Sequence, residues 1–149
     1  MQFQQEFLAT CFDEAKWLFE LHYAEIALNQ DVLKLNPDTE QYEDAEKFGA
    51  LRIFTARDDG KLVGYFAVLV TRSMHYADHI YATNDVIFLH PDHRKGYTAS
   101  NLIKFAAECL AQDGVSMLFV NTKLHRPFDI LLRRLGFDHV ENVYSKRLE

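Results

Sequence analysis

The sequence predicts a mixed α/β (α+β) fold, one central sheet with helices packed on its faces. Three observations carry this expectation. Apolar residues recur at helical spacing from Phe12 to Leu28 and again after Ser100. Between them, residues 50–89 hold long runs rich in β-branched and aromatic residues. Glycines and an Asp-Gly pair stand where one pattern gives way to the other. With 149 residues, 48% hydrophobic, six glycines and three prolines, the chain has the make-up of one globular domain spanning 1–149.

Taken in order, Thr10 to Asp13 has the form of a capping box, and Phe12, Ala15, Phe19, His22 and Ile26 follow at helical spacing, a helix of about four turns. Trp17, Leu21, Ala24 and Leu28 make a second stripe, so two sides of that helix are touched. "NPDTEQYEDAEKFGA" places Pro37 near a helix start and Gly49 past its end, which predicts a short acidic helix. "ALRIFTAR" and "KLVGYFAVLVTR" flank Asp59-Gly60 and read as a hairpin. "HIYATNDVIFLH" is a further long strand, and a helix ended by Gly114 leads into the strand "VSMLFV". "PFDILLRRLGF" is a last helix stopped at Gly136, and "DHVENVYSKRL" is expected to close the chain as a strand. The predicted order is α, α, β, β, β, α, β, α, β.

Net charge is −6, which argues against nucleic-acid binding through a basic face. Residues 1–50 hold eleven acids and three bases, whereas residues 51–149 hold eleven acids and thirteen bases. The halves are expected to meet different ligands, or the acidic helices are simply solvated. Cys11 and Cys109 lie in helical segments with apolar neighbours and read as reduced packing residues. No run approaches the ~18 apolar residues of a membrane span, and the N-terminus lacks the features of a leader. A cytoplasmic protein without membrane contact, acting as a monomer or homodimer, is expected.

"HPDHRKGYTAS", residues 90–100, sits between the apolar strand "DVIFLH" and the helix "NLIKFAAECLAQDG". A basic, glycine-bearing turn at a helix start presents amides and positive charge together, an anion site. Strand, P-x-x-R, short turn, helix, strand, helix and a late "GF" resemble the GNAT superfamily of N-acetyltransferases over nearly the whole chain. Arg94 and Ala99 stand at the outer positions of the family's R-x-x-G-x-G/A signature, but Tyr97 replaces its middle glycine and Gly96 comes one place early. The short length and the "HYAEI" helix are similar to small phage-encoded members.

That resemblance implies a mostly antiparallel sheet, splayed between its fourth and fifth strands, with helices on both faces. Acetyl-coenzyme A would be the cosubstrate, without any metal. Its pyrophosphate would lie on Arg94, Lys95, Gly96, Tyr97, Thr98, Ala99 and Ser100, and its pantetheine arm would pair with the backbone of Ile87, Phe88 and Leu89. Many members carry a carboxylate six residues before the proline of P-x-x-R, and here that is Asp85, the only ionisable residue in "ATNDVIFL". Asp85 would relieve an ammonium acceptor of its proton, or sit in a hydrogen-bonded bulge. By strand alternation it shares a face with Tyr81, Thr83 and Ile87. The family's usual tyrosine acid falls on Leu132, so that acid is missing; His125 would contact coenzyme A or relay a proton, or is an idle loop histidine. Tyr97 and Tyr144 are further candidates.

His22 and Glu25 lie three apart on the first helix, which in this family borders the acceptor, and would bind substrate or else pack and solvate. His75, His79, His90 and His93 show no ligand spacing for a metal. The acids Glu40, Glu43, Asp44 and Glu46 with Glu25 would favour a cationic acceptor, a small amine or a basic protein segment. Two readings stand open: an N-acetyltransferase, and a non-catalytic binding module of the same fold acting through a protein partner.

Overall fold

The computed structural model describes all residues, Met1–Glu149, and builds them into ten short elements. They are β1 Gln2–Glu6, α1 Leu8–Ile26, α2 Thr39–Lys47, β2 Leu51–Asp58, β3 Lys61–Arg72, β4 Ile80–Leu89, a 3₁₀ turn Pro91–His93, α3 Thr98–Gln112, β5 Val115–Phe119 and α4 Asp129–Arg134. The strands lie in the order β1-β2-β3-β4-β5. All neighbours are antiparallel except β4 and β5, which run parallel through α3. No helix is long and apolar enough to cross a membrane.

Period-two alternation divides the sheet between two cores. Ile53, Tyr65, Ala67 and Phe88 face α1 and pack with Cys11, Ala15 and Leu18. Phe54, Phe66, Val68, Ala82 and Leu89 face the other way, onto Leu102, Ile103, Ala106 and Leu110 of α3 and Leu132 of α4. The hairpin turn is as expected: Asp59 and Gly60 both take positive φ, 49° and 83°, the geometry that lets two strands twist back on each other. Asp38 caps α2 by accepting from the Gln41 N–H.

Three expectations change. β1 was not expected, because "QFQQE" has a single apolar residue inside it; its Phe3 packs on Phe105 at 6.4 Å, its Glu6 carboxylate is buried against β2, and its three glutamines are exposed. The "HIYATNDVIFLH" strand is therefore the fourth. Thr10 and Asp13 do not cap α1, which begins a turn earlier; the Leu8 N–H is satisfied instead by the Glu46 carboxylate of α2, at 2.8 Å. Residues 138–149 form no strand and are exposed throughout, touching the chain through Arg147 to Asp31 at 3.0 Å. Their apolar residues Val140, Val143, Tyr144 and Leu148 fail to alternate at period two, so no side of a strand could be buried.

Under the hairpin, Arg57 of β2 ties three elements. It makes paired contacts with Glu6 of β1 (2.9 and 3.0 Å) and Glu14 of α1 (2.6 and 3.1 Å). The Thr55 hydroxyl also donates to Glu6, whose side chain is buried with that of Arg57.

Candidate active site

The parallel pair supplies the site because it comes apart. Pairing runs only from Ile80 to Thr83 on β4 and from Val115 to Phe119 on β5. Just past it the Asn84 side chain replaces a strand: its Oδ1 accepts from the Asn121 N–H at 2.7 Å and its Nδ2 donates to the Asn121 carbonyl at 3.3 Å. Beyond Asn84 a gap opens. The His90 N–H donates to the Val63 carbonyl, so alternate residues Phe88 and Val86 also turn their backbone to β3, and Ile87 and Leu89 turn theirs into the gap. Of the three residues expected to pair with an extended ligand, Ile87 turns its backbone groups and Leu89 its N–H into the gap, the Leu89 carbonyl accepting from Arg94, whereas Phe88 is committed to the ladder with Tyr65. Gly64 lets the strands close here: a Cβ on it would meet Leu89 Cδ1 at 2.7 Å.

At the end of β4 the basic turn leads into α3. By helix geometry the amides of Thr98, Ala99 and Ser100 have no partner within the helix; Thr98 and Ala99 are half-buried, Ser100 is buried, and Lys95 before them is exposed. Gly96 sits at φ +73° with open space around the position of a Cβ, so glycine is required by backbone conformation and not by crowding. Gly96→Ala is accordingly expected to cost roughly 1 kcal/mol in chemical denaturation. Arg94 departs from its expected place. Its guanidinium is held by Glu25 of α1 at 2.6 and 2.7 Å, its Nε donates to the Leu89 carbonyl at 2.8 Å, and it lies over the Phe88 ring. It fixes the turn to β4 and α1, and Lys95 beside it is exposed.

Asp85 lies where the register of β3 and β4 breaks. Pairing passes from Ala67 with Val86 to Val68 with Asn84, so Asp85 is the extra residue of a β-bulge. The bulge shifts alternation by one: Val86 faces α1 and Ile87 faces α3, so Ile87 does not share the face of Asp85. The Tyr42 hydroxyl of α2 donates to Asp85 Oδ2. Burial first, and this hydrogen bond second, push the Tyr42 hydroxyl above its ordinary range, so it stays a donor. Tyr42 and Val86 also form part of the wall of a cavity of about 460 Å³ between α1, the segment joining it to α2, and the sheet.

His22 lies in the same wall, buried, with Nδ1 2.7 Å from the Tyr65 hydroxyl and its ring stacked on Phe88. Its buried Nε2 has no partner. Burial pulls the imidazole down to about 4, against a smaller opposite pull from Glu25. Between the unfolded value of 6.5 and about 4, the unfolded chain binds a proton that the folded one refuses. Stability is therefore full above 6.5 and falls as pH is lowered, by a total on the order of 3 kcal/mol. Glu25, held low by its bond to Arg94, adds its own loss only below its ordinary value of 4.5. His22→Phe keeps the ring stack and removes the titration. Its urea stability should change less than that of the wild type between about pH 7 and pH 5, and an unchanged slope would contradict the assignment.

Other predicted residues stand apart. His125 is exposed, its side chain bonded to nothing, and no contact joins it to Asp85. Glu25 is spent on Arg94, with Arg126 at 4.0 Å, and does not line the cavity. Leu132 is a core residue, and Tyr97 and Tyr144 are exposed. Of the histidines, His79 lies 3.0 Å from Ser116 Oγ, and His90 stacks on Trp17 with the His93 ring 6.0 Å away. Sequence reasoning missed Tyr42 and Asn84; the one available signal was that Tyr42 is the sole aromatic within the acidic helix.

A sheet split between parallel strands, free backbone in the split and an amide-rich basic turn opening a helix define a fold that holds an extended, phosphate-bearing cosubstrate. The model of the acetyltransferase (GNAT) family matches residues 13–137, and the chain belongs to that family. It is an acyltransferase that uses acetyl-coenzyme A. Its fold is similar to ribosomal-protein-alanine N-acetyltransferase from Brucella melitensis biovar Abortus 2308 (21% identity, TM-score 0.74, covering 99% of this chain and 100% of that one). It is also similar to the aminoglycoside acetyltransferase meta-AAC0020 from an uncultured soil metagenomic sample, solved with sisomicin (14%, 0.75, 99% and 96%). A third similar structure is aminoglycoside N-acetyltransferase AAC(6')-Iy in complex with CoA (16%, 0.72, 99% of each). No curated protein matches the sequence.

Proposed function

We propose that residues 1–149 work as one domain that transfers the acetyl group of acetyl-coenzyme A to a primary amine by direct attack within a ternary complex. The observation that carries this is the place of Asp85: a carboxylate lifted out of the ladder by a bulge, beside the gap in the sheet, and bonded to Tyr42, whose side chain lines the cavity. Asp85 takes the proton from the amine. The freed nitrogen forms its bond to the thioester carbonyl carbon and sheds its second proton to water, the carbon–sulfur bond breaks, and the sulfur leaves with the electron pair. With Leu132 in the core and His125 bonded to nothing, that sulfur draws its proton from water. Tyr42 positions Asp85.

An acyl-cysteine route has no support. Burial, and then Glu6, push the Cys11 thiol up to about 12, and the Cys109 thiol is raised too, chiefly by burial. Ile87 and Leu89 would pair with the pantetheine arm, and Lys95 with the amides of Gly96–Ser100 would take the pyrophosphate. Similar folds act on amines of unlike kinds, a ribosomal-protein alanine and aminoglycosides by their names, which supports the amine class and not one member of it. The acids that suggested a cationic acceptor are engaged or outward: Glu46 bonds the Leu8 N–H, Glu25 bonds Arg94, and Glu40, Glu43 and Asp44 are exposed outside the cavity wall.

The test is a thermal shift with acetyl-coenzyme A beside an assay of thiol release with a panel of amines. A raised melting temperature and amine-dependent thiol release are expected. Stabilisation by adenine nucleotides with no response to coenzyme A would overturn the reading.

A further inference from the structure

The cavity beside Asp85 has a chemical character that narrows the acceptor. Of its 23 lining residues 18 are hydrophobic, among them Phe12, Phe19, Ile26 and Leu35, and none is Asp or Glu. Its only lysines are Lys34 and Lys123, and neither pairs with a carboxylate; Lys34 donates to the Gln30 carbonyl at 2.7 Å. Neutral His22, Asn36 and the hydroxyls of Tyr23, Tyr42 and Tyr65 complete the polar content. At about 460 Å³ the space is of the size that ordinary small-molecule sites have.

We infer that the acceptor is a primary monoamine carried on an aliphatic or aromatic body, its nitrogen at Asp85 and its body in this cavity. The inference rests on the reading of Asp85 as the base, held outside the lining by its bond to Tyr42 and next in sequence to Val86, both of which line the cavity. A second ammonium on the acceptor would be stripped of water among aromatic and aliphatic side chains, with no carboxylate to meet it and two lysine charges in the same wall. A hydrocarbon end in the same place leaves water at a gain, and offers its surface to rings and branched side chains already in position. Polyamines and aminoglycosides, with several charges, are therefore disfavoured even though the protein surface nearby is acidic.

Pentylamine and cadaverine differ only in whether the far end is methyl or ammonium, so they test this directly. Pentylamine and 2-phenylethylamine should show kcat/KM for thiol release at least about tenfold above cadaverine. Leu35→Glu, at a lining position on the loop before α2, should invert that ratio by adding the missing carboxylate. Equal or better use of cadaverine, or a ratio unmoved by Leu35→Glu, would overturn the inference while leaving amine acetylation intact. If no amine releases thiol, acetyl transfer itself fails, and calorimetry of each amine with the protein and coenzyme A still decides the cavity. Binding of 2-phenylethylamine without binding of cadaverine upholds it, and equal binding or none overturns it.

Discussion

Arg57→Ala is expected to lower folding stability by about 3–5 kcal/mol, the cost of leaving one member of a buried ion pair without the other. Glu6 is the member left behind. Its carboxylate is almost wholly buried and would keep only the Thr55 hydroxyl, because both of its contacts to Arg57 go at once. Glu14 suffers less, being half exposed and able to regain water. The loss has a structural direction: Glu6 ends β1, and β1 hangs on the sheet edge by pairing to β2 alone. Thermal and urea unfolding should both register it, with a fall in melting temperature of about 10 °C for a chain of this size. Replacing both partners, Glu6→Leu with Arg57→Met, removes the stranded charge and should lie far closer to the wild type. Equal losses in the single and double variants would show that packing and not charge is at issue.

Asp85→Asn is expected to lower turnover on the order of a hundredfold or more, the usual contribution of a positioned base. The asparagine keeps the shape and can still accept from the Tyr42 hydroxyl, so the bulge and the gap beside Ile87 and Leu89 should survive. Coenzyme A binding, read by thermal shift, should therefore stay near the wild-type value while kcat falls. Tyr42→Phe leaves the carboxylate in place but free to swing, and should have a smaller effect, in kcat more than in KM. Full turnover in Asp85→Asn would assign the residue to the bulge alone.

How far the sequence could be read depended on whether a signal was local. The acidic helix, the Asp59-Gly60 hairpin, the strand before the basic turn and α3 all announce themselves through periodicity and turn chemistry, and all stand where expected. Asp85 was singled out through family resemblance, but the facing of Ile87 relative to it was not legible, because a bulge is set by the register of two strands and leaves no mark on one. β1 was missed because this edge strand shows one apolar residue, half-buried Phe3, and is held besides by Glu6, whose partner Arg57 lies 51 residues on. For Arg94 the charge was legible, and its partner Glu25, 69 residues away on α1, was not. The same holds for Tyr42, whose role depends on meeting a residue 43 positions on, and for Asn84, whose side chain completes a backbone pairing at the mouth of the gap.

The most direct measurement of the central claim is product analysis. The protein would be incubated with acetyl-coenzyme A and a mixed set of primary amines, with free thiol titrated and N-acetylated amines quantified by mass spectrometry. The account predicts one N-acetyl amine for each thiol released, with both signals lost together in Asp85→Asn. Thiol released without acetylated amine, or bound coenzyme A with neither product, would contradict it.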